Sequence, residues 1–206
     1  NMRYYTSIGY MDERGNIRGE INKRYNGMAK LNLNYNNFSV MFSLNGNLQK
    51  KEYTPEDVGV ADYAYNTSRS VPAYDTDGDL LFYAREEGSD YVKRFNIINE
   101  MNNSYNKINT DQLNLQISLG YRIIPSLKAD LNFSYGVSHT SDDSWFGEDS
   151  YEMMKIKYIW KEDAANSEAK PGEQDKSRSE NPSGGELRIS NTINENYSLR
   201  GTLTYS

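Results

Sequence analysis

A strict alternation of apolar and polar residues, kept up over long stretches, is the feature that most constrains the fold of this chain. Side chains of a β-strand point to opposite faces in turn, so such a run predicts a strand with one apolar and one polar face. One such run covers 112–123, and after the short break 124–126 a second run of similar length covers 127–138. Each run has about a dozen residues, whereas strands of soluble proteins usually have about five or six. The apolar positions of the first run are Leu113, Leu115, Ile117, Leu119, Tyr121 and Ile123.

The same pattern predicts strands elsewhere in the chain. Asn36 and Asn37 separate two of them, and Asn tolerates the positive φ that a two-residue hairpin turn requires. A further turn is predicted at 194–196, between the last two strands. The sequence therefore predicts about seven long strands. The remaining predicted strands are 4–10, 29–35, 38–45, 187–189 and 199–205.

The lengths of the predicted connections indicate an architecture. Short connections (near 36–37, 124–126 and 193–196) alternate with long ones (about 54–109 and 139–185) and one of medium length near 11–25. All long connections would then lie at one end of the sheet. A soluble β-sandwich usually mixes loop lengths at both ends, whereas an outer-membrane barrel has short periplasmic turns and long extracellular loops. The predicted fold is therefore all-β, an antiparallel transmembrane β-barrel segment of about seven long strands.

The placement of aromatic residues favours the same fold. The chain has 18 Tyr, and amphipathic rings gather at the two interfaces of a membrane. Eight aromatic residues can be assigned to these interfaces, and each lies on the apolar face of its predicted strand. We expect Tyr4, Tyr35, Phe38, Tyr121 and Tyr197 at the periplasmic interface, and Tyr10, Tyr135 and Tyr205 at the extracellular one.

Composition excludes several other classes. Hydrophobic residues make up only 36% of the chain, which fits a barrel with lipid on one face and a wet lumen on the other. The absence of Cys and the single His139 remove thiolate and His-cluster metal sites. A net charge of −6 argues against nucleic-acid binding. We expect neither a cofactor nor catalysis, since no base or nucleophile stands in a recognisable motif.

Strand number and the N-terminal residues lead to an expectation about the whole protein. Seven antiparallel strands cannot close a barrel, and exposed strand edges are prohibitive in hydrocarbon. The chain also opens on strand-like sequence, with no signal peptide. Residues 1–206 are therefore expected to be part of a larger barrel domain, with extracellular loops at about 54–109 and 139–185.

Four sequence motifs resemble those of SusC/RagA-family TonB-dependent transporters. The first two stand in the first long loop, Val-Pro-Ala-Tyr-Asp-Thr-Asp-Gly-Asp at 71–79 and Phe-Asn-Ile-Ile-Asn-Glu-Met-Asn-Asn at 95–103. They are similar to a "P-A-Y-(N/D)-x-(D/E)-G" turn and an "N-x-L-N-E-x-x-N" segment of that family. Residues 182–187, Pro-Ser-Gly-Gly-Glu-Leu, resemble its "P-x-G-G-x-L" element, and 5–25 its early strand and "K-R-Y" lead. The four motifs occur in the family's order.

The resemblance implies a function for the parent molecule. Members of the family are 22-stranded barrels, plugged by an N-terminal domain, that import glycan oligomers or peptides with energy from TonB. A SusD-like surface lipoprotein often caps them. The partners implied are therefore outer-membrane lipid, a SusD-like lipoprotein, the TonB complex through the plug region absent from this chain, and an oligosaccharide or peptide substrate. The implied location is the cell outer membrane.

The long loops contain the candidate substrate-binding residues. Aromatic faces stack on sugar rings or peptide side chains, and Asn or Asp fix the orientation of a ligand. Packing of the loops against one another is the alternative use of the same rings. The candidates are Trp145 with Asp142 and Asp143 in the second loop, and Tyr74 and Tyr83 among the aromatic residues of the first.

Asp75, Asp77 and Asp79 invite a calcium interpretation, but the glycine falls at position 4 where an EF-hand loop needs it at position 6. A turn is favoured, with calcium left open. Residues 154–160 alternate like a strand above the bilayer or a loop hairpin, and 161–180 have the composition of a mobile, solvated segment. Two other protein classes also remain open: a soluble or surface-anchored β-rich glycan-binding module, and a porin without TonB coupling.

Overall fold

The computed structural model describes residues 1–87, 90–154 and 183–205, and most of them belong to β-strands. The strands are β1 Met2–Arg14, β2 Ile21–Tyr35, β3 Phe38–Tyr53, β4 Tyr83–Glu87, β5 Asp90–Phe95, β6 Ser104–Ile124, β7 Leu127–Phe146 and β8 Glu186–Tyr205, and the helices are α1 Val60–Asn66 and α2 Ile97–Asn103. A 3₁₀ turn, Glu56–Val58, follows β3. Six of the strands form one antiparallel sheet in the order β1-β2-β3-β6-β7-β8, and β4 and β5 form a separate hairpin.

The connections of the large sheet divide by length between its two ends, as the sequence predicts. Residues 36–37 and 125–126 make the two tight connections at one end, called the turn end. Asn36 has φ 51°, in the left-handed region expected of an Asn in such a turn. The connections 15–20, 54–103 and 147–185 all leave and re-enter the sheet at the opposite end, called the loop end.

The prediction of a turn at 194–196 is wrong. β8 runs unbroken from Glu186 to Tyr205, and Asn194 and Asn196 pair with Ser138 and Gly136 of β7. Asn favours a turn when its backbone groups have no other hydrogen-bond partners, but here the backbone of β8 is paired with β7 along its whole length. The large sheet therefore has six strands rather than seven.

The predicted loops 54–109 and 139–185 also require correction, because 104–109 and 139–146 are strand: β6 begins at Ser104 and β7 ends at Phe146. Both extensions carry polar and apolar residues on each face, so they lack the alternation that predicts a strand. Pairing between the two strands forms them instead, as at Lys107 opposite Asp143. The predicted strand at 154–160 fails at its first residue, since 151–154 form a helical turn. Its remainder and the segment 161–180 lie outside the described residues.

The continuity of β8 exchanges two of the predicted aromatic positions. Tyr205 pairs with Leu127 at the turn end, and Tyr197 pairs with Tyr135 towards the loop end, the reverse of the expectation. Tyr35, Phe38 and Tyr121 do lie together at the turn end. The error follows from the missing turn, because a strand that does not reverse continues in its original direction.

One face of the sheet is apolar and uncovered by any residue that the structure describes. This apolar face consists of the even-numbered residues of β1 and β3 and the odd-numbered residues of β2, β6, β7 and β8. Ile8 is 95% exposed, Tyr197 81% and Leu199 68%. The opposite, polar face is rich in Asn, Ser, Gln and Thr. Large contiguous exposed apolar surface marks a site of contact with a membrane or a partner.

On the apolar face, every strand is free of charged residues from the turn end up to a sharp boundary. The part below this boundary is called the apolar belt, and on the six strands its last members are Tyr10, Tyr25, Leu48, Leu113, Val137 and Tyr197. The next residue on the same face is charged in five strands and an imidazole in β7: Asp12, Lys23, Lys50, Asp111, His139 and Glu195.

The small core of the described chain lies at the loop end, on the polar side of the sheet. Phe146, which belongs to the polar face of β7, packs there with residues from both long connections. This group is called the cap core. Since it joins the connections 54–103 and 147–185, it folds part of both over the polar face. Its buried members are Val58, Phe95, Ile97, Phe146, Tyr151 and Met153. Among the described residues, no helix has the length and apolarity needed to traverse a bilayer.

Candidate functional site: the polar face at the loop end

Helix α2 holds the first long connection together through its N-cap residue, Asn96. The Asn96 side chain accepts hydrogen bonds from the backbone N–H groups of Ile98 (2.9 Å) and Asn99 (3.2 Å), which caps the helix. Its Nδ2 donates to the carbonyl oxygens of Ala73 and Leu81, each at 2.8 Å. The two motifs at 71–79 and 95–103 are therefore in direct contact.

The same helix binds the second long connection. Glu100 is 2% exposed, and its Oε2 accepts the backbone N–H of Tyr151 at 2.8 Å. Asn99 Nδ2 donates to Glu100 Oε1 (3.0 Å) and to the Asp149 carbonyl (2.8 Å). A buried carboxylate needs such donors, since an unpaired buried charge is costly. The segment at 95–103 is thus a clamp between the two connections.

Arg188 fastens β8 to this assembly. Its guanidinium donates to both carboxylate oxygens of Glu186 (2.7 and 3.0 Å) and to Asp57 (3.3 Å) and Glu152 (3.4 Å). It lies 4.7 Å from the centre of the Phe146 ring. The hydrogen bonds to Glu186 raise the pKa of Arg188 above its usual range, with Glu152 adding to the effect. Three segments distant in sequence converge on this one cation.

Next to the cap, a cavity of about 420 Å³ opens at the loop end between β1, β2 and β3. Carboxylates predominate among its charged groups, with one lysine, one aromatic ring and one amide beside them. Such groups accept hydrogen bonds from hydroxyls or ammonium groups and offer one stacking surface. Its lining residues are Glu13, Gly15, Glu20, Ile21, Asn22, Lys51, Glu52, Tyr53, Glu56 and Ile108.

Tyr53 links this cavity to two buried acceptors on the polar face. Asn106, 8% exposed, donates from Nδ2 to the Tyr53 hydroxyl at 3.1 Å. Burial raises the pKa of Tyr53 above its usual value, and the negative charges of Asp142 and Glu56 add to the effect. Asn106 Oδ1 and Asp142 Oδ1 are buried without a hydrogen-bond partner in the described part of the chain. The region therefore has spare acceptors beside an aromatic hydroxyl.

The structure separates the three predicted residues of the second loop. All three lie in β7, where Asp142 is on the polar face and Asp143 and Trp145 are on the apolar face. Adjacent strand residues cannot share a face, so Asp142 and Asp143 cannot bind one small ligand together. Trp145 is half-buried, and a Cβ on Gly185 would lie 2.8 Å from its ring. Its ring therefore packs against the backbone that leads into β8.

The two predicted tyrosines of the first connection lie apart from the cavity and stabilise the turn at 72–83. Tyr83 donates its hydroxyl to the Pro72 carbonyl at 2.6 Å. Tyr74 forms an isolated bridge with Leu80 and is 48% exposed. Of the five predicted residues, only Asp142 lies in the neighbourhood of Tyr53.

The acidic turn at 75–79 has the geometry of a self-contained turn. Asp75 Oδ1 accepts the backbone N–H groups of Asp77 (3.0 Å) and Asp79 (2.9 Å), and Gly78 has φ 90°. An Asp side chain that bonds to the backbone two residues on is a common turn device. No group of three metal-binding side chains occurs among the residues that the structure describes.

The sequence did not predict the group of acidic residues around Tyr53. Glu13, Glu20 and Glu56 come from separate connections and strand ends, and nothing in the linear order brings them together. The two-residue period of a strand could have predicted part of the group. Glu13, Lys51 and Tyr53 lie on the polar face once β1 and β3 are extended to their observed ends.

Neither a protein-family model nor a curated protein matches this chain in sequence comparisons. The resemblance to the SusC/RagA family therefore depends on the four motifs alone.

Proposed function

We propose that the sheet is a sector of an outer-membrane β-barrel, with the apolar face on lipid and the polar face on a water-filled lumen. The apolar belt is the observation that carries this proposal. On β3 it extends from Phe38 to Leu48, eleven residues joined by ten steps, or about 33 Å at about 3.3 Å per residue. At a tilt of about 30–40°, that length spans about 25–29 Å of membrane, close to the height of about 25 Å of the apolar band of outer-membrane barrels.

The oblique course of the belt supports the same proposal. Leu48, the last belt residue of β3, lies in one row across the sheet with Asp111, His139 and Ile193. Compared with this row, the belt ends two residues nearer the turn end on β6 and β7, and four residues nearer it on β8. A level slab must cross tilted strands obliquely. Four residues over the five steps from β1 to β8 correspond to a tilt of about 30°, from strand spacings of about 4.8 Å. A soluble core has no reason to follow such a line.

We further propose that the barrel is a TonB-dependent importer of the SusC/RagA type. The four motifs support this class, and one of them, 95–103, is the clamp between the two long connections. On this proposal, TonB acts through a plug region, and a SusD-like lipoprotein covers the loop end. The cargo is an oligosaccharide or a peptide.

The cavity beside Tyr53 is our candidate for a substrate contact in this importer. It faces the proposed lumen at the extracellular end, where an incoming solute passes first. Its carboxylates and the Tyr53 ring match the hydroxyls of a sugar or the amide and ammonium groups of a peptide.

Heat-modifiable gel mobility of the intact protein, extracted from outer membranes in detergent, tests the barrel proposal. A barrel migrates differently before and after boiling. A soluble or surface-anchored glycan-binding module would stay monomeric without detergent and would show no such shift. That result would contradict the membrane assignment.

Energy dependence separates an importer from a porin. Uptake by cells that contain the intact protein should stop when TonB is deleted, since a TonB-dependent importer draws its energy from TonB. Uptake that continues unchanged in the TonB deletion would favour the porin and leave the barrel intact. Replacement of Tyr53 by Ala, with Tyr65 replaced as an exposed control, then tests the cavity as a substrate contact.

A further inference from the structure

The apolar belt has a gap where two glycines lie side by side. Gly27 of β2 and Gly46 of β3 are register partners on the apolar face, so neither fills the space above the backbone. A Cβ added at Gly27 would meet nothing within 4 Å, and one at Gly46 would have only ordinary contacts from 3.6 Å. The gap, called the glycine notch, has a volume of about 520 Å³.

The walls of the glycine notch are apolar side chains. Ile8, Tyr25, Leu48, Leu113 and Val137 surround the two glycines, and Asp111 and His139 lie on the rim towards the loop end. The volume is in the range of sites that bind small ligands, about 300–1,000 Å³. Because the notch is open to the proposed lipid side, a flexible hydrocarbon chain is the ligand that fits its chemistry.

Two lysines lie directly beyond the notch, at the boundary of the belt. Lys23 and Lys50 are register partners and follow Tyr25 and Leu48, respectively, on the apolar face. Like charges directly opposite each other destabilise a sheet. Lys23 forms an ion pair with its register partner on β1, Asp12, at 3.9 Å, and Lys50 forms no ion pair with a described residue. The pair is therefore suited to an anion that lies between both ammonium groups.

Two carboxylates lie on the same part of the face. Glu52 is 3.8 Å from Lys107. Asp111 pairs with Leu48 on the loop-end rim of the notch, diagonal to Lys50, and forms no ion pair with a described residue. The arrangement places an apolar slot below a pair of cations at the level where a lipid headgroup lies.

We propose that the glycine notch binds one acyl chain of a phosphate-bearing membrane lipid, whose headgroup phosphate is held by Lys23 and Lys50. This inference depends on the proposed position of the apolar face in the bilayer. The lipid would fill the gap in the belt and relieve the repulsion between the two lysines.

Lipid retention by the intact protein tests the inference. The protein is purified in detergent, and the lipids that remain bound are counted by native mass spectrometry during titration with a phosphate-bearing lipid or a neutral diacylglycerol. The variants are the double change Lys23→Gln and Lys50→Gln, the notch-filling change Gly46→Leu, and the control Lys30→Gln on the polar face.

We expect the wild type and K30Q to retain the phosphate-bearing lipid and the double lysine variant to bind it about 30-fold more weakly. Equal retention by the double variant, or equal binding of the neutral lipid, would overturn the inference. If Gly46→Leu assembles, it should lose the lipid with both lysines present; if it does not, the lysine variants still decide.

Heat-modifiable mobility is measured on every sample. Its loss in the wild type would refute the barrel itself, whereas a normal mobility with unchanged lipid retention in the double variant would refute only the lipid site.

Discussion

Glu100 Oε2 accepts the backbone N–H of Tyr151 at 2.8 Å, which joins the two long connections across 51 residues of sequence. Because Glu100 also accepts Asn99 Nδ2 and is almost fully buried, its carboxylate is the centre of the clamp. Neither Glu100 nor Tyr151 belongs to a strand of the large sheet.

Replacement of Glu100 by Ala should loosen the cap while the sheet persists. The change leaves the Tyr151 N–H without its acceptor, at a cost of about 1–3 kcal/mol. Hydrogen exchange should rise at 95–103 and 147–154 and stay unchanged in β2 and β3. Asn102→Ala, at an exposed position of the same helix, is the control. Equal effects of both changes would contradict the clamp.

A charge placed on the apolar face should prevent assembly, whereas the same charge on the polar face should be tolerated. Leu115→Arg puts a guanidinium well inside the belt, at a cost of about 2–4 kcal/mol in a bilayer. Gln116→Arg, one residue later, faces the proposed lumen and is the matched control. The heat-modifiable form should disappear only in Leu115→Arg, and its survival there would count against a lipid-facing surface.

Replacement of Arg188 by Ala should detach the loop end of β8 from the cap. Its side chain is 42% exposed, so each ion pair contributes little, about 0–1 kcal/mol. The loss of contacts to three carboxylates and to Phe146 should nevertheless raise protease cleavage between 147 and 185 severalfold. Arg188→Lys should rescue this in part, since Lys keeps the charge and loses the paired bonds to Glu186. Arg200→Ala is the control on the same face.

The phenol of Tyr53 should titrate above its ordinary pKa of about 10. Because the pKa is raised in the folded state, the neutral phenol stabilises the fold fully below about pH 10, and this contribution is lost as the pH rises through the folded pKa. Tyrosine ¹³Cζ NMR, assigned with Tyr53→Phe, measures the titration. Asp142→Asn should lower the Tyr53 pKa, and Asp143→Asn should change it less. Equal shifts would contradict the placement of Asp142 near Tyr53.

The sequence by itself determined the faces of the sheet and the distribution of its connections. Alternation at 113–123 and 127–138 depends only on the two-residue period of a strand, and Asn36 and Asn37 have the backbone freedom that a tight turn requires. These are local properties, so the all-β class, the turns near 36–37 and 124–126 and the long connections at one end were accessible from residue order.

Tertiary pairing decided what local preference could not. Residues 194–196 have turn composition, yet they remain extended because Gly136 and its neighbours in β7 satisfy their backbone. The loop-end extensions of β6 and β7, which lack a regular alternation, form because each strand pairs with the other. The cavity at Tyr53 and the clamp at Glu100 combine residues far apart in sequence, and only the register of six strands brings them together.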